Sequence, residues 1–486
     1  MNTFEKYKIH DAIHKTIGLS QLELDIIDTK SFQRLRNVKQ LSLLSYVFPS
    51  ADYSRFSHSL GTCYLSGKIF DALHFDGDLN KSERIKHQKQ KQKVRLAGLL
   101  HDIGHYPFSH VMEDAIKFYL HEYHPQRGLQ EINSSNTDGT YTALGYLEHE
   151  SVGIKILERD KQITETLKKT KYSPTEISEL MIRKGESPSE LPKLISSDLD
   201  SDRLDYLLRD AYHIGLPYGS TDLNYILREF YDDGSGEICI NSKALRTVDH
   251  FLLCRYFDYS QVIFHKTSAG LEEVLKRVIA FLIENGEIKI SPEYIEGMID
   301  SGEWFFYDDI YLYNLIRKMY KDTYLSDHQK LFVNSIVERN PPKEIAKLEY
   351  IDDIDTRKQR LFKSRISDLN TLIPLIGEKF NIDSQNIFVW DNKGLRLTKT
   401  GRMLEAYSAE ADSKDELKQS VRIYDRVSEK SDIIMNREDS LMNILSNKAL
   451  YSIRLFILAN PHTLDNEKIK SIRLFVYNNL EYRDWK

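Results

Sequence analysis

Apolar residues recur every three to four positions through most of residues 20–330, with few proline or glycine breaks, so this stretch reads as helix. "LELDIIDTKSFQRLRNVKQL" is one amphipathic segment, and "VDHFLLCRYFDYSQVIFHKTSAGLEEVLKRVIAFL" is a long one. Asp-Gly in "FYDDGSGEICI" marks a small β interruption. Two stretches read as loops: the basic "LNKSERIKHQKQKQKVR" and the turn-rich "HPQRGLQEINSSNTDGTYTALGY". Beyond about residue 340 the pattern changes. "NIFVWDNKGLRLT" reads as a hairpin, and "YSIRLFILAN" and "SIRLFVYNN" are β-prone runs whose shared "SIRLF" is too short to be a repeat. The expected fold is mainly α, with a small β-hairpin and a smaller mixed α+β C-terminal lobe. The expected units are residues 1–335 and 336–486.

A length of 486 residues exceeds one ordinary core and fits two to four units. Hydrophobic content of 41% and charged content of 29% are those of a globular chain, and the net charge of -6 gives no general drive toward nucleic acid or membrane. No apolar run approaches the ~20 residues of a membrane span, and "MNTFEKYKIHDAIHK" lacks the apolar core of a signal peptide. Cys63, Cys239 and Cys254 have no CxxC spacing, so reduced thiols in a cytoplasmic setting are expected. The basic stretch has six Lys/Arg between Lys81 and Lys93, with Arg95 beyond. It has no aromatic stacking platform, so solvated surface is favoured over a nucleic-acid contact.

Against this background "LAGLLHDIGHYPFSH" stands out, because a buried apolar helix runs directly into His101 and Asp102. Gly104 is placed to cap that helix and Pro107 to open the next. A buried carboxylate needs a partner or a cation. Adjacent helix residues point about 100° apart, so His101 and Asp102 can share an ion only with ligands from elsewhere. Candidates are His58 in "SRFSHSLG" and Asp198, Asp200, Asp202, Asp205 and Asp210 in "LISSDLDSDRLDYLLRD".

"RFSHSLG", "LLHDIGHYPFSH", "HES" and "DSDRLDYLLRDAYHIG", in that order, resemble the HD-domain phosphohydrolases, and specifically their deoxynucleoside triphosphate triphosphohydrolase branch. The likeness covers roughly residues 4–330. It implies a helical HD fold and the metal ligands His58, His101, Asp102 and Asp202. Such a mixed N/O set suits Mn, Fe, Co, Zn or Mg. It also implies His105 against the scissile phosphate beside His149 and its acid Glu150, with His121-Glu122 as the rival pair. Substrate contacts follow by the same resemblance: Arg55, Arg203, Tyr206, Arg255 and Lys266 toward phosphate, Asp210 toward the sugar 3′-hydroxyl, Gln40 and Leu41 on the deoxyribose, and His110 nearby. Ile263 stands where relatives often carry an aromatic against the sugar 2′ position.

The implied activity is hydrolysis of a dNTP to deoxynucleoside and triphosphate. The alternatives are an HD hydrolase acting on another nucleotide or on single-stranded DNA ends, and a nucleotide-sensing regulatory module. Residues 122–147, just before His149, are expected to form a flap. Asp28, Gln33 and Arg36 resemble the segment by which the family binds a guanine nucleotide at a subunit contact. That implies GTP or dGTP as activator of a homo-oligomer, a tetramer or dimer.

Overall fold

The computed structural model describes residues 5–74, 80–123, 141–142, 145–170, 172–181, 191–233, 238–396 and 420–480. An antiparallel hairpin, Tyr7–Asp11 with Lys15–Leu19, leads into a helical body. At its centre the helix Arg55–Leu73 packs against Lys81–Leu100 and Ser201–Ile214. Arg55–Leu73 is buried around most of its circumference, small and polar residues such as Ser59, Thr62 and Ser66 included, which explains why it lacks a one-sided apolar stripe. Gly61 lets Ser201–Ile214 approach, since a Cβ there would lie 1.8 Å from Asp205 Oδ1.

Several expected elements differ. The basic stretch is not a loop: Lys81–Leu100 is one helix, capped by Asn80 with Glu83 in a reciprocal capping box. Three of its cations are spent on partners: Lys91 on Asp71, Lys93 on Glu176 and Arg95 on Glu23. "LELDIIDTKSFQRLRNVKQL" is broken into Gln21–Ile27, Lys30–Gln33 and a 3-10 turn at Arg34–Asn37, because Thr29 caps a new start. The long segment is likewise interrupted, by a π turn at Tyr259–Ile263 between Leu245–Asp258 and Lys266–Glu284. Gly104 does not act as a left-handed cap. It allows close packing, because a Cβ there would fall 2.1 Å from the His149 carbonyl oxygen and 2.3 Å from Gly153 N. The next helix begins at His110, not at Pro107, after Phe108 and Ser109 at φ 55° and 54°.

The β interruption is a hairpin of Phe230–Asp232 and Ile238–Asn241. Arg422–Asp425 adds in parallel to its second strand, and Lys430–Ile433 extends the sheet. A second sheet has Lys448–Ile457 between Lys343–Asp353 and Ile387–Asp391. Ile387–Asp391 and Leu395–Arg396 do not pair as a hairpin, since both bond to Lys448–Ile457. Successive side chains of that central strand face opposite sides. Ile453, Leu455 and Ile457 enter a C-terminal core with Leu369, Ile376, Ile472 and Val476, while Phe456 enters the large helical core. "SIRLFVYNN" is helix, within Asn466–Asn479. Among the described residues no helix is long and apolar enough to cross a membrane.

Candidate active site

Three helices bring the candidate metal ligands together. His58 lies one turn into Arg55–Leu73, His101 and Asp102 follow Lys81–Leu100, and Asp202 opens Ser201–Ile214. His58 Nε2 stands 3.0 Å from Asp202 Oδ1 and 3.7 Å from Asp102 Oδ2. His101 Nε2 is 3.6 Å from Asp202 Oδ1 and 3.2 Å from Asp102 Oδ1. Each imidazole uses its other nitrogen elsewhere: His58 Nδ1 contacts Asp205 Oδ2 at 2.8 Å, and His101 Nδ1 contacts the Gly98 carbonyl at 2.9 Å. Those acceptors fix the protons on Nδ1 and aim both Nε2 lone pairs at the carboxylates. Both Nε2 atoms are buried without a hydrogen-bond partner. Two inward imidazole lone pairs facing two carboxylates fit a divalent cation.

The electrostatics agree. Burial alone would lower the pKa of His58, but the facing carboxylates of Asp202 and Asp205 outweigh it and push it up to about 10. His101 shifts upward for a similar reason, with Asp102 as the main charge. The pocket therefore demands positive charge, and a metal ion and protons compete for it. Asp102 is buried yet held well below the usual carboxylate range, with Arg55 its largest attractive partner; Arg55 Nη1 donates to its Oδ2 at 2.5 Å.

Beside this corner His105, His110, Glu113 and His149 form a second group. His105 and His149 stack with centroids 3.6 Å apart. Burial and the neighbouring charges of Arg55 and His149 push His105 well below its usual value, keeping it neutral. His149 goes the other way: the charges of Glu150 and Glu113 overcome burial and raise it to about 9. Two stacked imidazoles are thus driven to opposite protonation states, the pattern of an acid beside a neutral partner. The acid that holds His149 is chiefly Glu113, whose Oε1 accepts from its backbone N–H at 3.0 Å and contacts Nδ1 at 2.8 Å. Glu150 is more exposed and 3.4 Å away. The rival pair His121 and Glu122 lies out at the surface.

A cavity of about 330 Å³ opens over both groups. Gln40, Leu41, Arg55, His110, Arg203, Tyr206, Asp210, Arg255 and Ile263 all line it, as do Asp200 and Tyr259. Arg203 is braced by Asp198 at 2.9 Å, and Asp210 accepts from the buried Tyr53 hydroxyl. Lys266 is not brought to this cavity; it stands exposed at the start of Lys266–Glu284. Asp28 is exposed at the end of Gln21–Ile27, while Arg36 Nε donates to Gln33 Oε1 at 2.7 Å and its guanidinium lies 3.6 Å over the Phe56 ring. Most of the expected flap, residues 122–147, lies outside the described residues.

Sequence reasoning missed Glu113, His14 and the role of Asp205. Asp205 accepts from Arg209 and contacts both His58 and His14, the latter at 2.7 Å, so the N-terminal hairpin reaches the metal corner. The spacing of Glu113 three residues after His110 was the one available local signal.

Residues 55–207 match the HD domain family, and the chain carries an HD domain. It is 35% identical over 285 residues to an uncharacterised protein of Methanocaldococcus jannaschii, covering 58% of this chain and 51% of that protein. It is 30% identical over 289 residues to a deoxynucleoside triphosphate triphosphohydrolase SAMHD1 homolog of Dictyostelium discoideum, covering 59% and 51%. The matches thus span about half the length of these two relatives. The crystal structure of a Bacteroides thetaiotaomicron phosphohydrolase shares the fold, with a TM-score of 0.65 at 22% identity over 93% of this chain and 100% of that one.

Proposed function

We propose that the chain hydrolyses deoxynucleoside triphosphates to deoxynucleoside and inorganic triphosphate. The observation that carries this reading is one cavity shared by the metal corner, the His105–His149 stack and three arginines, Arg55, Arg203 and Arg255. Guanidinium groups suit a polyphosphate because they bind its oxygens in bidentate fashion. Tyr206 adds a hydroxyl toward the phosphates, and Gln40, Leu41, Asp210 and Ile263 supply the wall for the sugar. A divalent cation held by His58, His101, Asp102 and Asp202 would polarise the α-phosphoryl group and lower the pKa of water there.

The remaining work falls to the chain. Arg203 and Arg255 orient the phosphates, and neutral His105 lies against the reacting phosphoryl group. Water adds to the α-phosphorus as the bond to the nucleoside 5′ oxygen breaks. His149, kept protonated by Glu113 and Glu150, donates its proton to that oxygen. Incubating the protein with each dNTP and NTP in Mn²⁺ tests the reading. Free triphosphate with deoxynucleoside is expected; release of pyrophosphate or orthophosphate, or no turnover, counts against it. The ratio of dNTP to NTP rates reads how well Ile263 crowds a 2′-hydroxyl.

Activation of a homo-oligomer by GTP or dGTP at Asp28, Gln33 and Arg36 belongs to the same proposal. Its support is the surface pair of Gln33 and Arg36, with Arg36 packed on Phe56, the neighbour of Arg55 in sequence. Differential affinity for the assembled state would produce activation. Faster dATP hydrolysis and a larger sedimenting mass with GTP, both lost in Asp28→Ala, are expected; equal rates and mass in wild type would remove the regulatory site.

A further inference from the structure

Asp309 opens the helix Asp309–Tyr320, more than one hundred residues beyond the last of the metal motifs, and its carboxylate is buried. Oδ1 accepts the Phe108 backbone N–H at 2.7 Å, and Oδ2 accepts the Lys39 backbone N–H at 2.9 Å. Phe108 belongs to the loop that carries the chain from His105 to His110. Lys39 immediately precedes Gln40 and Leu41, which line the same cavity. We propose that Asp309 is a positioning residue, a single carboxylate that locks the loop carrying His105 to the sugar-facing segment and so fixes the distance between that imidazole, with His149 stacked on it, and the nucleotide. This deepens the hydrolase reading and rests on it for its kinetic consequence.

The loop needs such a lock. Phe108 and Ser109 are consecutive non-glycine residues in the left-handed region, a conformation that persists only where the surroundings over-determine it. Ser109 supplies a second tie between the same two segments. Its Oγ accepts from Arg55 Nε at 2.8 Å and donates to the Lys39 carbonyl at 3.2 Å. Lys39 is therefore held to the loop at both its N–H and its C=O. At the loop's other end, buried Arg34 donates from Nη2 to the His105 carbonyl at 2.7 Å and from Nε to the Tyr307 carbonyl at 2.6 Å. Tyr307 is two residues before Asp309, so one short stretch grips the loop from both sides.

Both carboxylate oxygens are in use, each on a different backbone segment. An asparagine offers one acceptor and would set its amide group against the second N–H. None of the four candidate metal ligands touches Asp309, so metal binding and positioning separate experimentally. The test compares wild type, Asp309→Asn and Asp309→Glu as full-length, metal-loaded proteins. Three readouts are taken: hydrogen exchange in peptides spanning 37–41 and 104–110, bound metal, and kcat and KM for dATP. In Asp309→Asn both peptides are expected to exchange faster at unchanged metal content, with kcat at least tenfold lower and KM raised. Asp309→Glu keeps two acceptors and is expected to fall between the two, and it carries the comparison if the asparagine variant does not fold. Wild-type exchange in either peptide, or loss of metal with no change in exchange, overturns the proposal. Absence of dATP hydrolysis by wild type counts against the hydrolase reading alone, because the exchange readout uses no substrate.

Discussion

The metal corner and the histidine stack, a few ångströms apart, are held in place by different means. The metal corner takes its side chains from the body and ends of three helices, and its support is mostly side chain on side chain: Asp205 on His58 and Arg55 on Asp102, with the Gly98 carbonyl on His101. In the histidine stack His105 hangs on a turn with two left-handed residues, each costing roughly 1–2 kcal/mol, while His149 opens the helix His149–Arg159. Its support is side chain on backbone: Arg34 on the His105 carbonyl, Asp309 on the Phe108 N–H, Glu113 on the His149 N–H. Helices and these contacts together set the donor directions for an ion. The His105 imidazole is set by remote residues that fix its loop's peptides. Damage to the first region should therefore appear as lost metal, and damage to the second as lost rate with metal retained.

The largest expected effect is that of Asp102→Ala, which removes a ligand and the partner of buried Arg55; bound metal and turnover should both vanish. Full activity in metal-free Asp102→Ala protein would break the comparison at its root. His149→Gln should keep its metal while kcat falls by about 10²–10⁴-fold, the usual worth of a general acid. Metal analysis beside kinetics checks this. Asp205→Asn leaves all four ligands but weakens the acceptor that orients His58, and metal affinity should drop by about 10–100-fold, read by competition with a chelator.

The smallest effect sharpens the second region. Glu113 favours charged His149, so removing its charge in Glu113→Gln lowers the pKa of that imidazole. The proton-donating form is then lost at lower pH, and the alkaline limb of the kcat profile should move down by about one unit. An unmoved limb would assign the proton to another group.

What the sequence disclosed follows the same division. His101-Asp102 drew attention because the pair is local and a buried carboxylate needs a partner or a cation, whereas the set of His58, His101, Asp102 and Asp202 came from the family resemblance. Asp309, Arg34 and His14 were not legible, because each acts across a sequence gap that only the fold closes. "SIRLF" shows how far context decides local structure. At Ser452–Phe456 it is a strand, fully buried between two sheet neighbours. At Ser471–Phe475 it is helix, started by the Asp465 cap and burying Ile472 and Val476 on one face. The pentapeptide tolerates both, and its neighbours choose.

The central claim is that water attacks the α-phosphorus of a bound dNTP. Single-turnover hydrolysis of dATP in ¹⁸O-labelled water, with mass analysis of both products, tests it most directly. The label is predicted to appear in the triphosphate and not in the deoxyadenosine. Label in the 5′-hydroxyl of the nucleoside, or in orthophosphate or pyrophosphate released in place of triphosphate, would contradict it.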